Sequence, residues 1–307
     1  MLEQLSDVRI PLRFWLRFIG VEFWLVGLVP FQIGFIVGAQ AWTSTTGLLG
    51  LTTVALLTSS SFVLNHICDL ETDRQNPRKA FSLLVRGDIA PLTGWVLFGA
   101  LQLVTLTLAA FVGREFLFCL LGLTAISLAY NIAPLRLKER PGVDIVANGV
   151  SLGFLLPLAG WSLSQPLMEF PRLYFASIIC YLVAFYCPTM AVDVAADRAV
   201  GTTTFATRFG ALATMRLSWI AMTFGAAILF WSGLSDIFPW DRNLLWWTGW
   251  ILAIQPVVHW QLLPPNEAPD YETVRRGSIC LATIAAFATL AFLWLYLSGS
   301  PEPPFRR

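Results

Sequence analysis

Two groups of polar residues with a four-residue spacing are the feature of this sequence that points most directly to chemistry. The first group is Asn65, Asp69 and Asp73, and the second is Asp193 and Asp197. Residues four apart lie on the same face of a helix, so each group is expected to present its side-chain oxygens in one direction. Oxygen ligands of this kind suit a hard divalent cation such as Mg²⁺. Both groups are therefore candidate metal ligands.

Basic residues follow each acidic group closely. Arg78 and Lys79 come after the first group, and Arg198 directly follows the second. Carboxylates that hold a divalent metal, beside cations that hold phosphate oxygens, form a receptacle for a diphosphate. Lysine and arginine are also expected in loops on the cytoplasmic side of a membrane protein, so a purely topological role stays open for each cation.

A third polar segment adds two more cations and a tyrosine. Pro134 ends the preceding predicted helix, and Arg136 and Lys138 then alternate with leucines. An extended stretch would direct both cations to the same side. A basic loop at the membrane surface is the alternative. Tyr130 is interpreted either as an interfacial anchor or as part of a pocket wall.

Hydrophobic helices must position these residues. The 307 residues are 56% hydrophobic and 13% charged, about half the charged fraction of a soluble domain. Apolar stretches near the spanning length of about 20 residues recur along the whole chain. We therefore predict a single-domain, all-α integral membrane protein with a short N-terminal segment at 1–14 and a short tail at 299–307. Nine transmembrane helices are predicted at 19–40, 46–66, 92–112, 115–133, 143–163, 172–191, 213–233, 243–262 and 278–298.

The distribution of basic residues predicts the orientation of these helices. Fifteen of the 20 lysines and arginines fall on one side of the predicted topology. The positive-inside rule places that side in the cytoplasm, together with the N-terminus and both acidic groups. An odd number of spans then puts the C-terminus outside. The five cysteines include no CxxC pair, so neither a zinc site nor a disulfide framework is expected.

At these residues the chain resembles the UbiA superfamily of intramembrane prenyltransferases. Asn65, Asp69 and Asp73 match its first motif, NxxxDxxxD, and Asp193 and Asp197 match its second, DxxxD. The second match continues through a D-R-x-x-G-x-x-T run, and the third polar segment is similar to the family's Y-S-x-P-P-L-R-L-K loop. The residues of these further matches are Arg198, Gly201, Thr204, Tyr130, Pro134, Arg136 and Lys138.

The sequence also departs from the family pattern at three places. Asn131 stands where the loop usually has serine, and Ala133 stands where it has its first proline. After Lys79 the common R-P-L is absent. The last departure lies in the segment that is expected to fold as an amphipathic element over the site. It also bears on whether this chain uses the family's usual acceptor.

The resemblance implies a helical bundle around a central cavity with a cytoplasmic cap. It also implies Mg²⁺-dependent transfer of a prenyl chain from a polyprenyl diphosphate to a lipophilic acceptor in the bilayer, through an allylic cation. Two Mg²⁺ ions are expected, with Mn²⁺ as an alternative. The implied catalytic and metal-binding residues are Asn65, Asp69, Asp73, Asp193 and Asp197. The implied substrate-binding residues are Arg78, Lys79, Tyr130, Arg136, Lys138 and Arg198.

Two other functions use some of the same features. An intramembrane terpene cyclase would use the same motifs but capture the cation within the prenyl chain itself. A transporter would place ionisable residues near the bilayer midplane, whereas here the acids cluster on one side. Few cations remain beyond the diphosphate set, which favours an uncharged or weakly charged acceptor. Asn148 is a candidate contact for that acceptor, and no nucleic-acid partner is expected.

Overall fold

The computed structural model describes residues 10–75, 79–234 and 254–299, and helices connected by turns make up this part of the chain. Its helices are α1 Leu12–Phe18, α2 Trp24–Ala39, α3 Thr45–Cys68, α4 Leu70–Asp73, α5 Pro91–Val112, α6 Arg114–Asn131, α7 Val143–Val150, α8 Leu156–Trp161, α9 Arg172–Ala199, α10 Phe205–Phe209, α11 Ala211–Leu234, α12 over 254–262, and α13 Tyr271–Gly299. Among these residues no strand occurs, which agrees with the all-α prediction.

Six segments of the described chain are long and apolar enough to cross a membrane, which makes this an integral, multi-pass membrane protein. They are Val21–Ala39, Thr45–Cys68, Pro91–Val112, Val143–Trp161, Ala176–Ala199 and Ala211–Trp231. Each overlaps one of the predicted spans. The other three predicted spans correspond to α6, α12 and α13, and the eighth lies partly outside the described residues. The number of nine spans and the cytoplasmic cap therefore stay predictions.

The fifth predicted span is one helical rod with an irregular centre. A π-helical turn, Ser151–Leu155, joins α7 to α8. Insertions of this kind are rare and occur often at functional sites, because they widen the helix and turn side chains toward new neighbours. Here Ser151, Leu152 and Leu156 all face the central cavity.

Two glycines let α2 and α8 cross at very short range. A Cβ atom built on Gly34 would lie 2.0 Å from the carbonyl oxygen of Pro157, and one on Gly160 would lie 2.0 Å from that of Phe31. Small residues at such crossings allow backbones to approach, which is how helices gain van der Waals contact in a lipid environment. This crossing holds two of the cavity walls together.

The second half of the bundle is built around α9 and α11. The Ser218 hydroxyl of α11 donates to the carbonyl oxygen of Ala184 in α9, 2.6 Å away. Ser218 Oγ also lies 2.8 Å from Nε2 of the buried His259 in α12. His259 is thus buried between helices and has a hydroxyl partner in α11. Buried Met215 and Leu263 complete the core between these helices.

Candidate active site

The first acidic group begins as the spacing predicts. Asn65 lies on the last turn of α3, and Asp69 is the residue that follows the end of this helix. The Asn65 Nδ2 donates a hydrogen bond to Asp69 Oδ2 at 2.9 Å. The two side chains therefore share one face, and the Asp69 side chain is 17% exposed.

Asp73 lies one turn beyond Asp69, and its backbone N–H donates to the carbonyl oxygen of Asp69 at 2.7 Å. The backbone of Asp69 leaves the helical conformation (φ −101°, ψ 8°), and the short helix α4 then carries Asp73 into a buried position. There its Oδ2 lies 3.5 Å from Nδ1 of His66 and 3.9 Å from Nζ of Lys79. A metal-binding role for Asp73 stays a prediction.

The third polar segment meets the first acidic group directly. Asp69 Oδ1 accepts hydrogen bonds from Lys138 Nζ at 2.5 Å and from Arg136 at 3.1 Å. Lys138 also donates to Asn131 Oδ1 at 3.0 Å, and the same oxygen accepts from Asn65 Nδ2 at 3.1 Å. Two cations, one carboxylate and two amides thus form one hydrogen-bonded cluster, which we call the Asp69 cluster.

The backbone that delivers these two cations is a turn and not the extended stretch that the sequence suggested. Arg136 has a left-handed conformation (φ 36°, ψ 59°), and residues Leu137–Glu139 form a 3-10 helix. Left-handed backbone is unfavourable for an arginine and needs support from its surroundings. Ion pairs of Arg136 with Asp69 and with Glu139 supply that support.

The second acidic group lies on the last two turns of α9, which extends past the predicted end at 191 to Ala199. Asp193 and Asp197 therefore share a helix face as predicted, and Asp197 interacts with Asp193 and with the side chain of Thr204. The helix ends before Gly201, which has a positive φ of 76°. Arg198 is exposed and donates to the backbone oxygen of Thr207 at 3.2 Å.

Asp144 connects the segment after the second acidic group to the loop after the third polar segment. It is fully buried at the start of α7. Its Oδ2 accepts a hydrogen bond from the backbone N–H of Phe205 at 3.1 Å, and its Oδ1 accepts from that of Gly142 at 2.8 Å. Asp144 therefore positions the polar segments relative to one another through backbone contacts.

The remaining predicted site residues have different positions. Lys79 is half-buried beside Asp73, and Arg78 lies outside the described residues. Within the described chain, no three His, Cys, Asp or Glu side chains converge on one point. Mg²⁺ does not need such a cage, since one or two carboxylates complete its shell together with water and substrate phosphate. The carboxylate oxygens of Asp69 and of the second acidic group are ligands of this kind.

A cavity of about 420 Å³ opens below the Asp69 cluster, between α2, α3, α6, the α7–α8 rod and α9. Its polar wall contains Asn65, Asn131, Tyr130, Asn148 and Tyr186, and its apolar wall contains Leu57, Leu123, Ile126, Leu152 and Leu156. Asn65 and Asn131 belong both to the cavity wall and to the Asp69 cluster. A molecule with a charged head and an apolar tail could therefore occupy both at once.

Three residues of this region were not singled out as functional by the sequence reasoning. His66 and Tyr186 lie seven residues, or two helical turns, before Asp73 and Asp193. That spacing keeps side chains on one side of a helix and could have identified both. Asn131 was noted only as a departure from the family pattern, yet it bridges Asn65 and Lys138.

Comparison with known proteins relates this architecture to other membrane proteins. Protoheme IX farnesyltransferase 2 of Pseudoalteromonas atlantica is 32% identical over 137 residues, so the alignment spans less than half of that protein. A UbiA homologue from Archaeoglobus fulgidus bound to DMAPP and Mg²⁺ has a TM-score of 0.75 at 20% identity, covering 93% of this chain and 99% of that chain. The apo UbiA homologue from Aeropyrum pernix K1 has a TM-score of 0.65 at 21% identity, covering 87% of this chain and 96% of that chain.

The structural likeness at these identities shows a shared fold. The UbiA prenyltransferase family model matches residues 27–273, which include every predicted site residue and all the cavity walls except one residue of α2. The chain therefore belongs to the UbiA prenyltransferase family and is a membrane prenyltransferase.

Proposed function

We propose that this protein uses Mg²⁺ to transfer an isoprenoid chain from a prenyl diphosphate to a lipophilic acceptor inside the membrane. The observation that carries the proposal is the position of the Asp69 cluster at the polar wall of a cavity whose surface is mostly apolar. The diphosphate would bind at the cluster, and the prenyl chain would extend into the cavity. The proteins of similar fold from Archaeoglobus fulgidus were solved with DMAPP or GPP and Mg²⁺, which supports this class of donor and metal.

The metal would be held by residues from both acidic groups. Asn65 and Asp69 would supply oxygen ligands from the first group, Asp193 and Asp197 would supply them from the second, and Asp73 is a further predicted ligand. Two ions are expected, because the two groups come from different helices. When bound, Mg²⁺ supplies electrostatic stabilisation of the diphosphate as it departs.

The basic residues would bind the phosphate oxygens that the metal leaves free. Lys138 and Arg136 pair with Asp69 in the ligand-free protein. A bound diphosphate offers them new oxygen partners, so both cations would shift from the carboxylate to the phosphates. We assign Lys79, Arg78 and Arg198 to the outer phosphate oxygens.

The reaction would proceed by cleavage of the allylic C–O bond, with both electrons leaving on the diphosphate. The apolar cavity wall excludes water, so the allylic cation is not hydrolysed before it meets the acceptor. The acceptor then forms a new bond to the allylic carbon and releases a proton. We further propose that both acidic groups face the cytoplasm, where the soluble donors are made.

Product analysis tests this function. Purified protein would be incubated with Mg²⁺, labelled geranyl diphosphate and pooled lipophilic acceptors, and the labelled product identified by mass spectrometry. A prenylated acceptor that is absent with the Asp69→Asn variant would support the proposal. A cyclised hydrocarbon formed without any acceptor would instead identify a terpene cyclase. Intact geranyl diphosphate under all conditions would refute both.

A further inference from the structure

Three polar side chains from three different helices meet in the cavity wall, below the Asp69 cluster. The hydroxyl oxygens of Tyr130 in α6 and Tyr186 in α9 lie 3.1 Å apart. Asn148 Nδ2 in α7 donates to the Tyr130 hydroxyl, also at 3.1 Å. All three line the same cavity, and the proposed metal and phosphate chemistry uses neither Tyr186 nor Asn148.

The orientation of the Asn148 amide is fixed by its backbone neighbour. The amide nitrogen lies 3.0 Å from the carbonyl oxygen of Asp144, which can only accept a hydrogen bond. The amide therefore directs its NH₂ group to that oxygen and to Tyr130. In the described part of the chain nothing donates to Asn148 Oδ1, so this oxygen stays available as an acceptor.

A count of hydroxyl protons shows that the tyrosine pair also keeps one donor available. The two hydroxyls carry two protons, and the single hydrogen bond between them uses one. Asn148 donates to Tyr130 and so cannot accept the second proton through its nitrogen. Whichever tyrosine donates to the other, the remaining O–H has no acceptor among the described residues. A polar group in an apolar wall is stabilised when a ligand or water completes its hydrogen bonds.

The cavity wall carries no Asp, Glu, Lys, Arg or His among the described residues. A carboxylate or phosphate placed there would lose its hydration without gaining an opposite charge, which is strongly unfavourable. A neutral hydroxyl group, by contrast, both donates and accepts one hydrogen bond. It therefore matches the available tyrosine O–H and the available Asn148 Oδ1.

We propose that Tyr130, Tyr186 and Asn148 form the docking site for the acceptor, and that the acceptor is an uncharged molecule with a hydroxyl oxygen. This inference rests on the proposed prenyl transfer and specifies its second substrate. Tyr186 lies two turns before Asp193, roughly 10 Å along the axis of α9. The site is thus displaced from the acidic group toward the cavity, on the side where the prenyl chain would leave the diphosphate.

The proton count predicts an unusual pattern for tyrosine variants. In Tyr130→Phe the Tyr186 O–H loses its partner and is available, and in Tyr186→Phe the Tyr130 O–H is available. Each single variant therefore keeps one donor, whereas the double variant keeps none. Loss of a neutral hydrogen bond should weaken binding roughly three- to tenfold in the double variant, and clearly less in either single variant.

Binding of simple aromatic probes to the full chain in lipid nanodiscs tests this. Radiolabelled 2-naphthol, 2-methoxynaphthalene and 2-naphthoate offer a neutral hydroxyl, a neutral ether and an anion on one ring system, with empty nanodiscs as the blank. We expect 2-naphthol to bind most tightly and 2-naphthoate most weakly. Binding of geranyl diphosphate with Mg²⁺ should fall clearly less than binding of 2-naphthol in the double variant, since a prenyl chain forms no hydrogen bond with a tyrosine hydroxyl.

Thr105→Val provides the matched control for loss of a buried hydroxyl. Thr105 is buried in α5, outside the cavity, and its hydroxyl is committed to the backbone oxygen of Leu101 at 2.8 Å. Three results would overturn the inference: unchanged 2-naphthol affinity in the double variant, tighter binding of 2-naphthoate than of 2-naphthol, or an equal loss of geranyl diphosphate affinity. The third result would assign the tyrosines to binding of the prenyl diphosphate. Failure of prenyl transfer itself would be seen separately, as intact geranyl diphosphate in the product analysis.

Discussion

Replacement of Lys138 by methionine should weaken prenyl diphosphate binding far more than replacement of Arg198. Lys138 Nζ is held at 2.5 Å from Asp69 and 3.0 Å from Asn131, and its side chain is only 12% exposed. Arg198 is exposed and donates only to a backbone oxygen in the described structure. The sequence offers both as candidate phosphate ligands, and their environments in the structure distinguish them.

The magnitude follows from that difference in exposure. A hydrogen bond to a charged group contributes about 1.5–3 kcal/mol when water is largely excluded, which corresponds to roughly 10- to 150-fold in affinity. An exposed charge pair contributes about 0–1 kcal/mol, which is less than about fivefold. We therefore expect a loss of about 10- to 100-fold for Lys138→Met and less than about fivefold for Arg198→Met. The fold should survive, because Asp69 keeps Arg136 and Asn65 as partners.

The assay is equilibrium binding of an unreactive geranyl thiolodiphosphate in the presence of Mg²⁺, with the acceptor KM measured separately by turnover. Lys138→Arg keeps the charge in a larger side chain and should recover part of the affinity. Equal losses for Lys138→Met and Arg198→Met, or no loss for the former, would refute the assignment of Lys138 to the diphosphate.

Three further predictions concern the metal, the packing and the topology. Asp193→Ala should abolish turnover without unfolding the protein, and EDTA should do the same to the wild type until Mg²⁺ is restored; residual activity in either case contradicts the metal mechanism. Gly34→Ala should lower the free energy of unfolding by about 1–3 kcal/mol, and with it the thermal midpoint in detergent, because the added Cβ would lie 2.0 Å from a backbone oxygen. Gly99→Ala is the control and should leave both unchanged, because its Cβ would have no atom within 4 Å. In a cysteine-free background, an impermeant thiol reagent applied to intact cells should label a cysteine at 303 and not one at 139; the reverse would invert the topology.

Local properties made much of this protein predictable. The hydrophobic stretches identified the long helices, because the bilayer requires about 20 apolar residues per crossing and a helix satisfies its own backbone groups. The four-residue spacing identified the Asn65–Asp69 pair and the Asp193–Asp197 pair, because one helical turn sets both. The sequence also indicated that Arg136 and Lys138 act together, although it suggested the wrong backbone for them.

Other features depend on how distant helices pack, and no local pattern encodes them. Asp69 meets cations of the third polar segment, whereas Asp73 meets His66 and Lys79, although the spacing of all three motif residues is the same. Within the third polar segment, the left-handed turn at Arg136 has an ion pair with Asp69, which lies 67 residues away in the chain, just after α3.

The sequence by itself determined the class of protein and the residue types at its reactive centre, since hydropathy and helical periodicity are properties of short segments. Only the tertiary structure decided which of these side chains contact one another. It placed Lys138 on Asp69, 69 residues away in the chain, and Tyr130 on Tyr186, 56 residues away. Such contacts are made when separate helices pack side by side, so their geometry is decided by the fit of whole helix surfaces around the cavity.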